Sequence, residues 1–164
     1  MNGDEKVLDL GCGHGAVLIA FAKRLTARGH ADGIDLWRSR DQSNNTETNT
    51  QKNLQTNHVQ DRTSLITANM VSLPFENNTY DYVVSSFAFH NIKPTSDRKI
   101  ALVEACRVLK PGGTLMIVDT EHKGSQYVQL LKQQGLSNVS IKQAGFNGWW
   151  SGPWMNSYII TAKK

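Results

Sequence analysis

The sequence predicts an α/β chain, a doubly wound sheet with helices on both faces. Three observations carry that expectation. Val7-Leu8-Asp9-Leu10 reads as a strand that breaks into glycines at alternate positions, Gly11, Gly13 and Gly15, and reopens as an apolar helix. Strand and helix patterns then alternate along the chain, the signature of a parallel sheet with crossover helices. No linker or internal repeat interrupts the alternation, so 1–164 reads as one domain.

In order, Lys6–Leu10 is the first strand and Gly15–Arg28 its helix. Ala31–Leu36 is a short second strand carrying an acid, Asp35, at its end. Asp41–His58 is rich in Asn, Gln and Thr and reads equally as a solvated helix or a loop. Ser64–Ala68 is the third strand and Asp81–Phe87 the fourth. Ser96–Leu109 sets Ile100, Leu102, Val103, Ala105, Cys106 and Leu109 on a helical face. Lys110-Pro111-Gly112-Gly113 stops that helix with a proline and a glycine pair. Thr114–Val118 is the fifth strand, and Ser125–Gln134 a helix ending at Gly135. Val139–Gln143 and Ser157–Ala162 are closing strands joined by Ala144–Asn156, able to pair as an antiparallel hairpin.

Bulk properties exclude several classes. At 164 residues the chain buries a core without help, and 39% apolar with 20% charged residues is ordinary for a globular domain. A net charge of +4 without a dense Lys/Arg run makes no case for a nucleic-acid partner. Cys12 and Cys106 are the only cysteines, too few and too far apart in pattern for a disulfide framework, so a cytoplasmic setting is expected. No apolar run approaches the roughly 20 residues of a membrane span, and the first residues lack a signal-peptide core.

The glycine turn brings backbone close to a ligand. Its Gly-x-Gly-x-Gly spacing is neither the Gly-x-Gly-x-x-Gly dinucleotide fingerprint nor a P-loop. In an open α/β sheet, ligands collect at the C-terminal strand ends. Asp9, two residues before the first glycine, is placed there to accept from a ligand ammonium group; a capped tight turn is the plainer reading. Asp35, at the end of the second strand, is placed to accept from both hydroxyls of a ribose, against the plainer reading of a surface acid. Leu36 and Trp37 offer surfaces for a flat ring, and Trp37 equally serves as packing. Asn69 carries an amide suited to a purine edge and Met70 a polarizable surface, although a core Met beside a turn Asn is the commoner situation. No metal site is assigned.

Taken in order, Asp9-x-Gly11-x-Gly13-x-Gly15, Asp35, Asn69-Met70 before Leu73-Pro74-Phe75, Tyr80-Asp81-Tyr82-Val83-Val84-Ser85-Ser86 and Arg107-Val108-Leu109-Lys110-Pro111-Gly112-Gly113 resemble the class I S-adenosylmethionine-dependent methyltransferases, most closely the small-molecule, methyltransferase-11 branch. The motifs cover about Lys6 to Gly113, and the element order reaches the end. The resemblance implies a Rossmann-like sheet of seven strands with the last antiparallel. It implies S-adenosylmethionine as cofactor and S-adenosylhomocysteine as product, across the ends of the first strands. Gly11, Gly13 and Gly15 would approach the methionine part with Asp9 nearby, Asp35 would hold the ribose, and Asn69 and Met70 the adenine, with Cys12 and Leu36 also expected at the cofactor. Ser85 or Ser86 would lie near the methionine moiety. Two departures stand out. Asn69 replaces the usual Asp, and an amide still bonds the adenine amino group. Members also carry helices ahead of the first strand that cover the cofactor, and here the expectation is a domain without them.

A sulfonium methyl is already electrophilic, so positioning and water exclusion are the main tasks. His90, in Phe87-Ala88-Phe89-His90-Asn91, is the candidate general base for a hydroxyl or thiol acceptor; local packing is its plainer role. No Asn-Pro-Pro-Tyr/Phe or Asp-Pro-Pro-Tyr follows the fourth strand, which counts against exocyclic-amine or glutamine acceptors. The loop 146–155 holds Trp149, Trp150 and Trp154, suited to an apolar acceptor wall, a membrane interface or burial. The leading expectation is a methyltransferase acting on a small-molecule acceptor. The alternatives are a non-catalytic module of the same fold and a nicotinamide oxidoreductase, the latter disfavoured by the glycine spacing.

Overall fold

A computed structural model describes residues 1–120, 124–145 and 157–164. The strands are β1 (Lys6–Leu10), β2 (His30–Asp35), β3 (Thr63–Thr67), β4 (Tyr80–Ser86), β5 (Leu109–Asp119), β6 (Ser137–Gln143) and β7 (Tyr158–Lys163). The helices are α1 (Ala16–Ala22), α2 (Glu47–Thr56), α3 (Thr95–Val108) and α4 (Gly124–Gln133). One sheet runs β3-β2-β1-β4-β5-β7-β6. β7 pairs antiparallel with both β5 and β6, and the other ladders are parallel. The order reverses between β1 and β4. That switch point opens a crevice at the strand ends, where the glycine turn after β1 faces the loop after β4.

Period-2 alternation divides the core. Val7, Ala31 and Val84 point to one face with Leu18 and Ala22 of α1 and Leu54 of α2. Leu8, Leu10, Ile34, Val83, Leu115 and Ile117 point to the other, against Leu102 and Val108 of α3 and Leu131 of α4. Gly33 decides how closely α1 approaches: a Cβ there would sit 2.7 Å from Leu18 Cδ2 and 3.0 Å from Cys12 Sγ. Only glycine lets the helix and the turn seat on β2.

Strand ends shift by a residue or two, two helix ends differ more, and one open reading is resolved. α1 stops at Ala22, not Arg28, because tighter bonds from Arg24 N–H to Phe21 and Leu25 N–H to Ala22 close it. Thr26 then turns the chain onto Gly3, donating its N–H to the Gly3 carbonyl at 2.7 Å and its hydroxyl to Asp4 at 2.8 Å. The polar stretch 41–58 contains a true helix, α2, whose N-cap Thr46 accepts from Asn49 N–H at 3.2 Å. Finally, α3 passes directly into β5, so Leu109-Lys110-Pro111-Gly112-Gly113 belongs to the strand. Lys110 Nζ anchors that entry on both oxygens of Asp81 at 2.9 Å.

Candidate functional site

The crevice is a cavity of about 480 Å³ lined by the glycine turn, the segment after β2, the Asn69–Val71 turn and the loop after β4. The turn hangs on β2: Gly11 and Cys12 N–H both donate to the Ile34 carbonyl, at 2.9 and 3.0 Å. Gly11 has φ 74°, and a Cβ there would collide with Ala88 and with Met70. Any side chain at this position would fill the meeting point of three lining segments. α2 clamps the turn from outside. Thr50 donates its hydroxyl to the Gly13 carbonyl at 2.7 Å, and Asn53 its amide to the His14 carbonyl at 3.0 Å.

Asp9 is 1% exposed, lines the cavity, and has one carboxylate oxygen without a hydrogen-bond partner among the described residues. Burial, opposed by the Leu18 amide and reinforced by the charge of Asp35, pushes its pKa up to about 7. The Cys12 thiol is driven further up by the same burial and by the two carboxylates, so it is neutral. Asp35 is tied down on three sides. One oxygen accepts from Gly13 N–H at 2.9 Å; the other accepts from Trp37 N–H at 2.7 Å and the Asn45 amide at 3.1 Å.

Of the other expected contacts, Leu36, Asn69, Met70 and Ser86 line the cavity. Asn69 Oδ1 accepts from Val71 N–H at 3.2 Å, which aims its turn. Gly15 and Ser85 are not among the lining residues. Gly15 caps α1, and buried Ser85 donates its hydroxyl to the Leu10 carbonyl at 2.8 Å, stitching β4 to β1. Trp37 also turns away, its indole N–H donating to Thr67 at 2.8 Å. The tryptophan loop 146–155 lies outside the described residues.

Past β4, Phe87 turns the chain with φ 53°, a strained value for a bulky residue and one met at functional sites. Fully buried Phe89 anchors the next short turn against Tyr127, ring centroids 6.0 Å apart. That seating aligns His90 with the cavity wall, where Nδ1 lies 2.7 Å from Asp119 Oδ1. Sequence reasoning missed Asp119, Thr50 and Asn45. Asp119 had a usable signal, since it ends an apolar strand just as Asp35 does.

A family model described as a methyltransferase domain matches residues 8–117, well over half of the chain. The chain belongs to the S-adenosylmethionine-dependent class I methyltransferases. A demethylmenaquinone methyltransferase of Lactiplantibacillus plantarum is 39% identical to this methyltransferase domain over 133 residues, 81% of the chain and 52% of the relative. An uncharacterized protein of Haemophilus influenzae is 31% identical over 147 residues, 89% of the chain and 55% of the relative. The chain thus spans about half the length of these curated relatives. A solved S-adenosylmethionine-dependent methyltransferase from Aquifex aeolicus superposes with TM-score 0.74 at 18% identity, over 97% of this chain and 81% of its own. At that identity the likeness speaks for the fold alone. Among the described residues no helix is long and apolar enough to cross a membrane.

Proposed function

We propose that this methyltransferase domain methylates a small, largely apolar ring bearing an ionisable hydroxyl, a quinol-type acceptor such as a reduced form of the demethylmenaquinone for which its relatives are named. One observation carries the reading: a histidine stands in the wall of the same cavity that holds Asp9 and Asp35.

The residues fit the cofactor. One oxygen of Asp9 has no hydrogen-bond partner among the described residues, and a buried carboxylate suits a ligand ammonium as its counter-charge. Asp35 suits the ribose diol. A carboxylate offers about four lone-pair sites and three are used, so the Asn45 amide, the longest of the three bonds, gives way when both hydroxyls bind. Gly11, Cys12 and Gly13 offer close backbone, Leu36 and Met70 apolar surface for adenine, and Asn69 an amide for its edge. Ser86 borders the methionine side. When bound, S-adenosylmethionine supplies a sulfonium-activated methyl group. The chain's own residues then orient the acceptor and exclude water, with Phe87, Ala88 and Ile92 as apolar wall. His90 takes the hydroxyl proton on Nε2, raising electron density on the acceptor.

Both cysteines are free and buried, which supports a reducing, cytoplasmic setting. The cavity's mixed lining supports a small-molecule acceptor over nucleic acid. The test is transfer of labelled methyl from S-adenosylmethionine to demethylmenaquinone kept reduced. Transfer that depends on His90 is expected. Undiminished transfer by His90→Ala would contradict the assigned base, and no S-adenosylhomocysteine binding would contradict the site.

A further inference from the structure

His90 is held from behind. Its Nδ1 meets Asp119 Oδ1 at 2.7 Å, and the same oxygen accepts the Thr120 backbone N–H at 2.9 Å. Asp119 is fully buried at the end of β5, and its second oxygen has no hydrogen-bond partner among the described residues. An oxygen that already accepts from Thr120 receives Nδ1–H as a second donor. This arrangement assigns the ring proton to Nδ1 and leaves the Nε2 lone pair for the cavity.

The charged groups sharing the cavity with His90 are Asp9, Asp35, Arg38, Asp41, Lys93 and Asp97. Among the described residues none of them bonds His90, whereas Asp119 does so from the strand packed behind it. A carboxylate sealed from water is costly unless a cation pairs with it. Here, among the described residues, the side chain bonded to it is a group that becomes a cation on accepting a proton.

Resting on the reading of His90 as the base, we propose that Asp119 is a positioning residue for methyl transfer: it holds His90 in the Nδ1–H tautomer with Nε2 facing the acceptor, and stabilises the imidazolium formed there. In the step concerned, the acceptor O–H bond breaks and its electron pair stays on the acceptor. The proton forms a bond to Nε2, and imidazole becomes imidazolium. His90, 23% exposed, then returns the proton to water. A merely structural Asp119 would need only an oxygen at the Oδ1 position, since that atom meets both His90 Nδ1 and Thr120 N–H.

Asp119→Asn separates the two roles because it can keep that oxygen and removes the charge. For transfer to reduced demethylmenaquinone, kcat at pH 8 is expected to fall roughly threefold to tenfold in Asp119→Asn. KM for S-adenosylmethionine and calorimetric binding of S-adenosylhomocysteine stay within about twofold, reporting an intact fold. An unchanged kcat in Asp119→Asn would overturn the role of Asp119 and leave the base assignment standing. Full transfer by His90→Ala would remove the base assignment, and this proposal with it. The wild-type protein gives an independent check, because nitrogen shifts of His90 must report the Nδ1–H tautomer. Finding Nε2–H overturns the proposal whether or not the variant folds.

Discussion

Two strands on either side of β4, β1 and β5, carry aspartates sealed from water at or next to their C-terminal ends, and their surroundings are opposite. Asp9, on β1, lines the cavity, and among the described residues one of its oxygens has no hydrogen-bond partner and no basic side chain is paired with it. Asp119, on β5, has His90 at 2.7 Å. The β5 side carries its own titratable partner, which the β1 side lacks among the described residues. On the proposed function, the cofactor takes one half of the crevice and the proton chemistry the other.

The sharpest way to break that division is to remove each side in turn. His90→Ala is expected to slow methyl transfer by about 10²- to 10⁴-fold while S-adenosylhomocysteine affinity in calorimetry stays within about twofold. A large affinity loss would merge the two halves. On the other side, Asp35→Ala is expected to weaken S-adenosylhomocysteine by roughly 10- to 100-fold, the scale of charge-assisted hydrogen bonds lost to a carboxylate.

Asp9→Asn separates stability from binding. Its raised pKa means that the folded protein holds a proton the unfolded chain gives up. The stability linked to Asp9 is therefore fully present below the ordinary carboxylate range and is lost as pH rises to about 7. Each pH unit in that window costs about 1.4 kcal/mol. The ligand-free Asn variant should thus melt higher than wild type at pH 8, by thermal denaturation, while binding S-adenosylhomocysteine more weakly. Equal melting would mean that burial does not raise the Asp9 pKa. The smallest effect is expected from Thr50→Val. Loss of the bond to the Gly13 carbonyl costs about 1 kcal/mol, seen as a lower melting temperature and a few-fold weaker cofactor binding, with the pH profile of transfer unmoved.

These two halves were not equally legible in the sequence. β1, the glycine turn and the acids at 9 and 35 announce themselves because strand, turn and acid are contiguous or spaced by one crossover. The same holds for β4 and for the helix over 95–108, whose apolar face is periodic. α2 was ambiguous because its docking face is polar: Thr50 and Asn53 bond backbone carbonyls of the turn, and Leu54 is its one large buried apolar side chain. Ser85 and Ser86 could not be separated by pattern. Strand alternation sends one into the sheet, where Leu10 takes its hydroxyl, and leaves the other at the rim. The pairing of His90 with Asp119 was invisible because 29 residues separate them. Only the β4–β5 register, Ser86 beside Val118, brings the two ends together.

The most direct measurement is calorimetric titration of S-adenosylhomocysteine into the purified protein at pH 8 and pH 6, beside Asp9→Asn. One-to-one binding is predicted, weaker at pH 6 because Asp9 must give up its proton to meet the ligand ammonium, with that pH dependence lost in Asp9→Asn. Absence of binding at both pH values, or a wild-type pH dependence retained in the variant, would contradict the assignment of the β1 side to the cofactor.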